Sequence, residues 1–262
     1  MIKRLNGEHV LVTRPAHQAE NLSRLIEEQG GVAVRFPALA IVGVDAAGKV
    51  QNTLAHLDKY QWLVFISANA VTMHSYYSDG VKMDQFKSVQ IAAIGKATAQ
   101  ALTLAGLPVD LVPESGYNSE ALLAMPQMQK IDGLHFLIVR GEGGREELAA
   151  TLRSRGAVVE YLDVYKRAIP DTDSSQVDLL LAQDKLDVIT ITSGEVLQNL
   201  LIMLKEYAQR LHEVPLVVVS NRIRQIAVDM GFKRIAVANS PSDIAILETV
   251  TMCVTGGIEW PN

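Results

Sequence analysis

The sequence predicts an α/β protein of two domains with parallel sheets. Strand-like and helix-like segments alternate along the whole chain. Several strand candidates are unbroken apolar runs, as expected where both faces of a strand are covered. The second half also repeats landmarks of the first at an offset of 125–126 residues.

In chain order, the strand candidates begin with "HVLVT" (9–13), "VAVRF" (32–36), "WLVFIS" (62–67), "VQIAAIG" (89–95), "VDLV" (109–112) and "HFLIVR" (135–140). "GAVVEYLDVYKRAIP" (156–170), "DVITITS" (187–193), "PLVVVS" (215–220) and "RIAVA" (234–238) follow. Helical spacing appears at Ala19, Leu22, Leu25 and Ile26 before Gly30. It recurs at Val196, Leu197, Leu200, Leu201 and Leu204, and at Ile223, Ile226, Ala227 and Met230 before Gly231. A glycine just past the last apolar position reads as a helix stop.

The repeat pairs Arg14 with Arg140, Gly30 with Gly156, Ser67 with Ser193, Gly95 with Ser220 and Gly106 with Gly231. "ISANAV" parallels "ITSGEV", and "AAIGKATAQALTLAG" parallels "VVVSNRIRQIAVDMG". Each half reads βαβ, a connector, then βαβαβα. The connectors "FPALAIVGVD" (36–45) and "YLDVYKRAIP" (161–170) occupy equivalent places. If each crosses between sheets, the domains interlock: residues 1–36 plus 168–262 form one and residues 40–163 the other, with linkers 36–41 and 161–170. The crossings then can pair as a two-stranded ladder. Two sequential domains are the alternative.

The segment 156–170 is long for a strand, typically ~5–6 residues. Val158, Glu160, Leu162 and Val164 fall in one alternating set, and Val159, Tyr161, Asp163 and Tyr165 in the other. Neither set is a clean core face.

Composition narrows the function classes. The chain has 262 residues, long enough for two ordinary domains. A net charge of −5 argues against a general nucleic-acid or membrane-surface binder. The one cysteine, Cys253, fits a reducing compartment and reads as a packed helix residue. "MIKRLNGEHV" lacks the apolar core of a signal peptide, and no apolar run approaches the ~18 residues of a membrane span. The expected location is the cytoplasm.

Many strands end in Ser, Thr or Gly just before a helix: Thr13-Arg14, Ser67-Ala68-Asn69, Gly95-Lys96, Thr192-Ser193-Gly194 and Ser220-Asn221-Arg222. Ser119 before "EALLA" and Ser242 before "DIAIL" open helices in the same way. Such residues cap helices everywhere. In open α/β sheets, however, ligands bind outside the carboxyl ends of the strands, where helix N-termini favour anions. Several ends facing one cleft suit a multiply charged anion.

"RGEGGREEL" (140–148) misses the dinucleotide pattern, because Glu146 stands at the third glycine. It reads as a loop feeding a helix, with Arg140 or Arg145 near an anion. The six histidines form no metal-ligand spacing, and Ser67, Ser193 and Ser220 lack a visible base partner. Tyr165 stands out, because its counterpart in the repeat lies near Leu39. A tyrosine that breaks the repeat inside a connector reads either as a bridge between lobes or as a phenol aimed into an interdomain cleft.

The chain resembles the uroporphyrinogen-III synthase family over nearly its whole length. The resemblance rests on "VLVTRPAHQAENLSRLIEEQGGVAVRFPALAI", "FISANAV", "IAAIGKATAQAL", "NSEALL", "LIVRGEGGREELAATLRSRGAVVEYLDVYKR", "ITSGEVLQNLL" and "VVVSNRIRQIAVDMGF", in order and spacing. It implies two interlocked α/β domains with parallel sheets, joined by a two-stranded antiparallel β ladder. It also implies a cofactor-independent cyclising lyase that uses no metal. The implied substrate is hydroxymethylbilane, a linear tetrapyrrole with eight carboxylates, closed to uroporphyrinogen III with inversion of ring D.

In the implied route, hydroxide leaves to give an azafulvene-type cation. The substituted carbon of ring D attacks, and a spiro intermediate fragments and recloses. The family's implicated tyrosine matches Tyr165 in "DVYKR", beside the departing hydroxyl. Carried over as substrate-binding are Arg14, Ser67, Asn69, Gly95, Lys96, Ser119, Arg140, Ser193, Gly194, Ser220, Asn221 and Arg222. Relatives often show proline where Gly194 stands here, and Lys96 occupies a variable site. The expected partners are the small-molecule substrate and, transiently, the enzyme that supplies it; the chain is expected to be a monomer. A non-catalytic two-lobed binding protein for a small anion is the competing class, and Tyr165 in the connector favours the enzyme.

Overall fold

The computed structural model describes residues 5–45, 47–77, 86, 88–116, 118–144 and 146–260. Arg145, one of the two arginines expected near an anion, lies outside the described residues, as do the first four residues of the N-terminal stretch.

The chain runs β1 (His9–Val12), α1 (Ala16–Glu28), β2 (Val32–Arg35), β3 (Ala40–Gly43), α2 (Ala47–Leu54), β4 (Trp62–Phe65), α3 (Ala68–Tyr77) and β5 (Gln90–Ala93). Then come α4 (Lys96–Leu104), α5 (Ser119–Ala124), β6 (His135–Gly141), α6 (Glu147–Ser154), β7 (Val158–Ala168), α7 (Ser175–Ala182) and β8 (Val188–Ile191). The last elements are α8 (Gly194–Met203), α9 (Ala208–Glu213), β9 (Leu216–Val218), α10 (Asn221–Asp229), β10 (Ile235–Val237) and α11 (Asp243–Val254). Contacts divide the chain into two compact units, Met1–Ala40 with Ala168–Asn262, and Ile41–Arg167. Among the described residues no helix is long and apolar enough to cross a membrane.

The first unit is a five-stranded sheet in the order β10-β9-β8-β1-β2, with every neighbouring pair parallel. Successive residues of one strand enter opposite cores. Leu11 packs with Ile189, Leu197 and Leu200 on one face, whereas Val10 and Val12 pack with Leu22, Ile246 and Val250 on the other. This is why the strand reads as an unbroken apolar run. Each such side chain contributes ~1.5–3 kcal/mol by leaving water. The stop at the end of α1 is Gly30, at φ 86°, and its counterpart Gly156 has φ 87°. Gly156 also has no room for a side chain, because a Cβ there would lie 2.0 Å from the Asp132 carboxylate. The paired glycines of the repeat thus mark the same backbone requirement.

The second unit has the order β3-β7-β6-β4-β5. The β4–β5, β4–β6 and β6–β7 pairs are parallel. Leu63 and Phe65 face Val71 and Leu102, and Trp62 and Val64 face Leu122, Leu148 and Leu152. With the short edge elements set aside, β5-β4-β6-β7 repeats the order β9-β8-β1-β2 of the first unit.

One strand of the sequence reading does not form. The "VDLV" segment is not a strand: it makes a single parallel bridge, Ala92 to Leu111. Pro108 and Pro113 flank it and cannot extend a ladder, and the Asp110 carboxylate accepts the Ile91 N–H at 2.7 Å. The first connector forms β3, which lies beside β7, the strand that contains the second connector, so the two connectors pair within this sheet.

The long strand β7 carries a local irregularity. Arg140 stands opposite Asp163, but Gly141 stands opposite Tyr165, so Val164 is an extra residue. Such bulges are rare between parallel strands, and they re-aim side chains. Leu162, Val164 and Tyr165 consequently join one core cluster, although strict alternation places Tyr165 on the face opposite the other two.

Candidate functional site

In the second unit, β4, β5, β6 and β7 are parallel, so the residues following them share one edge of the sheet. A cleft of about 380 Å³ opens there. Its polar lining comes from Ser67, Asn118, Ser119, Glu120, Glu147, Tyr165 and Arg167, and Gly141, Gly143 and Gly144 form another part of its wall. Ile66, Ile94, Ile138 and Leu148 supply the apolar side.

Tyr165 is buried, with 3% of its surface exposed. Its ring lies flat against β6 at a position where only glycine fits: a Cβ on Gly141 would stand 2.4 Å from Tyr165 Cε2 and 2.5 Å from Cζ. The Glu142 N–H donates to the Tyr165 carbonyl at 2.8 Å, fixing the backbone past the bulge. The Tyr165 hydroxyl lies 3.2 Å from Ser67 Oγ, which also accepts the Ala70 N–H at 3.0 Å as the cap of α3. The Arg167 guanidinium sits 5.9 Å from the centre of the Tyr165 ring.

Arg140 is at the end of β6 and is buried. Its Nε donates to Asp163 at 2.9 Å and its Nη1 to Glu146 at 3.0 Å and to the Gly144 carbonyl at 3.3 Å. The guanidinium also stacks 3.6 Å from the centre of the Tyr161 ring. The Tyr161 hydroxyl in turn donates to Glu146. That bond, followed by the one from Arg140, holds the Glu146 carboxyl below its usual range. Burial, followed by the Glu146 bond, pushes the Tyr161 phenol up. The guanidinium that the sequence directs toward an anion is thus held by two carboxylates of its own unit, where it ties down the loop containing Gly143 and Gly144.

The other expected binding residues fall into two sets. Ser67 and Ser119 line the cleft with Tyr165. Ser119 is not the cap of its helix, because Asn118 Oδ1 accepts the Ala121 N–H at 2.8 Å and Ser119 is the first helical residue. Asn118 was missed, although Asn before an apolar helical run is itself a cap signal. Asn69 lies in the first turn of α3; Gly95 caps α4 and Lys96 opens it, and these three do not line the cleft.

In the first unit, Arg14, Ser193 and Ser220 each stand two residues past a strand, on the adjacent parallel β1, β8 and β9. Ser193 caps α8 through the Val196 N–H at 3.1 Å, and Ser220 caps α10 through the Ile223 N–H at 3.3 Å. Gly194 opens α8 with Ile226 Cδ1 2.9 Å from where a Cβ would sit. Asn221 and Arg222 are exposed in the first turn of α10. Arg14 pairs with Asp243 and donates to the Pro241 carbonyl at 3.1 Å.

Parallel sheets with polar groups and helix N-termini at the strand carboxyl ends define the class: an open-sheet α/β protein, a fold in which ligands generally bind at those ends. A family model described as uroporphyrinogen-III synthase HemD matches residues 20–248. The uroporphyrinogen-III synthase of Escherichia coli K12 is 31% identical over 244 residues, covering 92% of this chain and 99% of the relative. Two crystal structures share the fold. A mutant uroporphyrinogen III synthase from Thermus thermophilus aligns with a TM-score of 0.63 at 17% identity, over 95% of this chain and all of that one. The Helicobacter pylori enzyme aligns at 0.59 and 13% identity, over 92% of this chain and 97% of that one. The chain belongs to the uroporphyrinogen-III synthase family, whose members are cofactor-independent cyclising lyases of tetrapyrrole synthesis.

Proposed function

We propose that the chain closes hydroxymethylbilane to uroporphyrinogen III with inversion of ring D and release of one water, and that Tyr165 assists the departure of the hydroxyl. The observation that carries the role is the position of the Tyr165 hydroxyl, lining a cleft at the carboxyl ends of parallel strands and held by Ser67.

The chemistry begins with heterolysis of the carbon–oxygen bond of the terminal hydroxymethyl group, driven by the electron pair of its pyrrole nitrogen. Hydroxide takes the Tyr165 proton and leaves as water. The substituted carbon of ring D attacks the resulting cation, forming a spiro centre. The older bridge bond then breaks, and the freed methylene closes on the unsubstituted carbon. The proton lost in the final rearomatisation restores the phenol, so the sum is one water released. A positioned acid contributes ~10²–10⁴-fold. Each tenfold preference for the inverting closure needs only ~1.4 kcal/mol of differential stabilisation, within reach of positioning alone.

First-turn N–H groups of α3 and α4, with Asn69, Gly95, Lys96 and Ser119, suit substrate carboxylates, whereas Ser67 serves the site through its hydrogen bond to Tyr165. So do those of α8 and α10, with Arg14, Ser193, Gly194, Ser220, Asn221 and Arg222. Cys253 as sole thiol, pushed up to about 12 by burial and so unreactive, suits a cytoplasmic setting, and we read the working form as a monomer.

The test is incubation with enzymatically generated hydroxymethylbilane and separation of the isomers. Type III product is expected from the wild-type chain. For Tyr165→Phe, turnover is expected to fall by ~10²-fold or more with the fold retained. Type I product alone from the wild-type chain overturns the activity, and near-wild-type turnover of the variant overturns the role of Tyr165.

A further inference from the structure

Ser67 has one O–H to donate and two lone pairs with which to accept. One lone pair takes the Ala70 N–H at 3.0 Å, in the first turn of α3. Its remaining recorded partner among the described residues is the Tyr165 hydroxyl, at 3.2 Å. The hydrogen bond between the two hydroxyls can run either way, and the direction decides what Tyr165 offers to the cleft. If Tyr165 donates to Ser67, the phenol proton is tied up and only lone pairs remain. If Ser67 donates to Tyr165, the phenol proton is free to point into the cleft.

Two features select the second direction. Among the described residues, Tyr165 Oη is the one acceptor within reach of the Ser67 proton, whereas the Tyr165 proton has the polar cleft beside it. The Ser67 oxygen also accepts from the positive end of a ten-residue helix, which polarises its O–H as a donor.

We propose that Ser67 is a positioning residue for the reaction: by capping α3 and donating to the Tyr165 oxygen, it directs the phenol proton into the cleft, toward the leaving hydroxyl. The donors then run in series from the Ala70 N–H through Ser67 to Tyr165. No proton changes hands between Ser67 and Tyr165; the serine sets an orientation and stabilises charge developing on the phenol oxygen. The inference rests on the reading of Tyr165 as the group that assists hydroxyl departure.

The experiment compares Ser67→Ala, Ser67→Thr, Ser67→Asp, Tyr165→Phe and the Ser67→Ala/Tyr165→Phe double variant in the full chain. Readouts are kcat, KM, isomer ratio and Tm, with Ser242→Ala as a control for simple loss of a helix cap. Ser67→Thr keeps both hydrogen bonds and is expected within about threefold of wild type. Ser67→Ala loses the donor, and kcat is expected to fall about tenfold or more at little-changed KM. Ser67→Asp is the sharpest arm, because a carboxylate still caps the helix but accepts from Tyr165 and draws the phenol proton away from the cleft. Its kcat is expected to approach that of Tyr165→Phe while Tm stays near wild type. The double variant is expected to be no slower than Tyr165→Phe alone. Wild-type kcat in both Ser67→Ala and Ser67→Asp, or additive losses in the double variant, overturns the relay while leaving the Tyr165 reading intact. Wild-type kcat in Tyr165→Phe overturns both.

Discussion

Replacing Gly141 with alanine tests whether the placement of Tyr165 is what the cleft depends on. The added methyl would lie 2.4 Å from Tyr165 Cε2, 2.5 Å from Cζ and 3.0 Å from Cδ2. Non-bonded carbons settle at ~3.5–4.0 Å, so the ring must retreat by about 1 Å. It has little room, being 97% removed from solvent and packed with Leu162 and Val164. Its hydroxyl is already 3.2 Å from Ser67 Oγ, so a retreat of that size breaks the bond. Overpacking at a buried site costs ~1–3 kcal/mol of stability. A displacement of about 1 Å in a group that must meet a reacting atom costs on the order of 10²-fold in turnover. Gly141→Ala is therefore expected to stay folded with a lowered Tm and to lose ~10²-fold in kcat, read with hydroxymethylbilane and isomer separation. The control is Gly48→Ala in α2, where an added Cβ meets nothing within 4 Å and alanine is the better helix former. If Gly141→Ala turns over within about threefold of the control, Tyr165 placement does not limit the reaction and the reasoning fails.

Two further outcomes concern stability. His74 is buried edge-on to Phe65 and Phe86, neither ring nitrogen has a hydrogen-bond partner among the described residues, and burial lowers its pKa to about 4. Above about pH 6.5 both folded and unfolded chains hold it neutral; between there and about pH 4 only the unfolded chain takes the proton, so stability declines as pH falls, by ~3 kcal/mol in all. Urea midpoints at pH 7 and 4.5 should fall further for wild type than for His74→Leu, and equal falls would show that His74 is not the cause. Arg140→Lys keeps the charge but loses the fork that reaches Asp163, Glu146 and Gly144 together, along with the stack on Tyr161. It is expected to cost ~1–3 kcal/mol and to expose the glycine loop to limited proteolysis, whereas an unchanged Tm and cleavage pattern would mean the loop is held by other contacts.

The alternation of parallel strands and helices was legible because the signals are local. Val10, Leu11 and Val12 are all apolar because successive residues enter opposite cores, and that pattern is written along a single strand. Gly30 and Gly156 were legible as helix stops because their left-handed backbone is a property of one residue. The serines of the repeat were legible as caps for a similar reason: Ser193 and Ser220 reach N–H groups only three residues away.

What the sequence left open are relations between strands. The extra residue at Val164 exists only because β7 is paired with β6, and no one-dimensional pattern records which residue is left without a partner. Without that bulge, alternation puts Tyr165 on the wrong face. The same holds for Arg140. As a sequence feature it is an arginine at a strand end; its ion pairs depend on Asp163, 23 residues away and across the β6–β7 pair, and on Glu146 folding back over the loop. By itself, then, the sequence determined the layered architecture and the resemblance that singled out Tyr165. Only the tertiary structure set Tyr165 against Gly141, placed its hydroxyl beside Ser67 and tied Arg140 into the loop, because each of those contacts is made by residues the chain brings together only on folding.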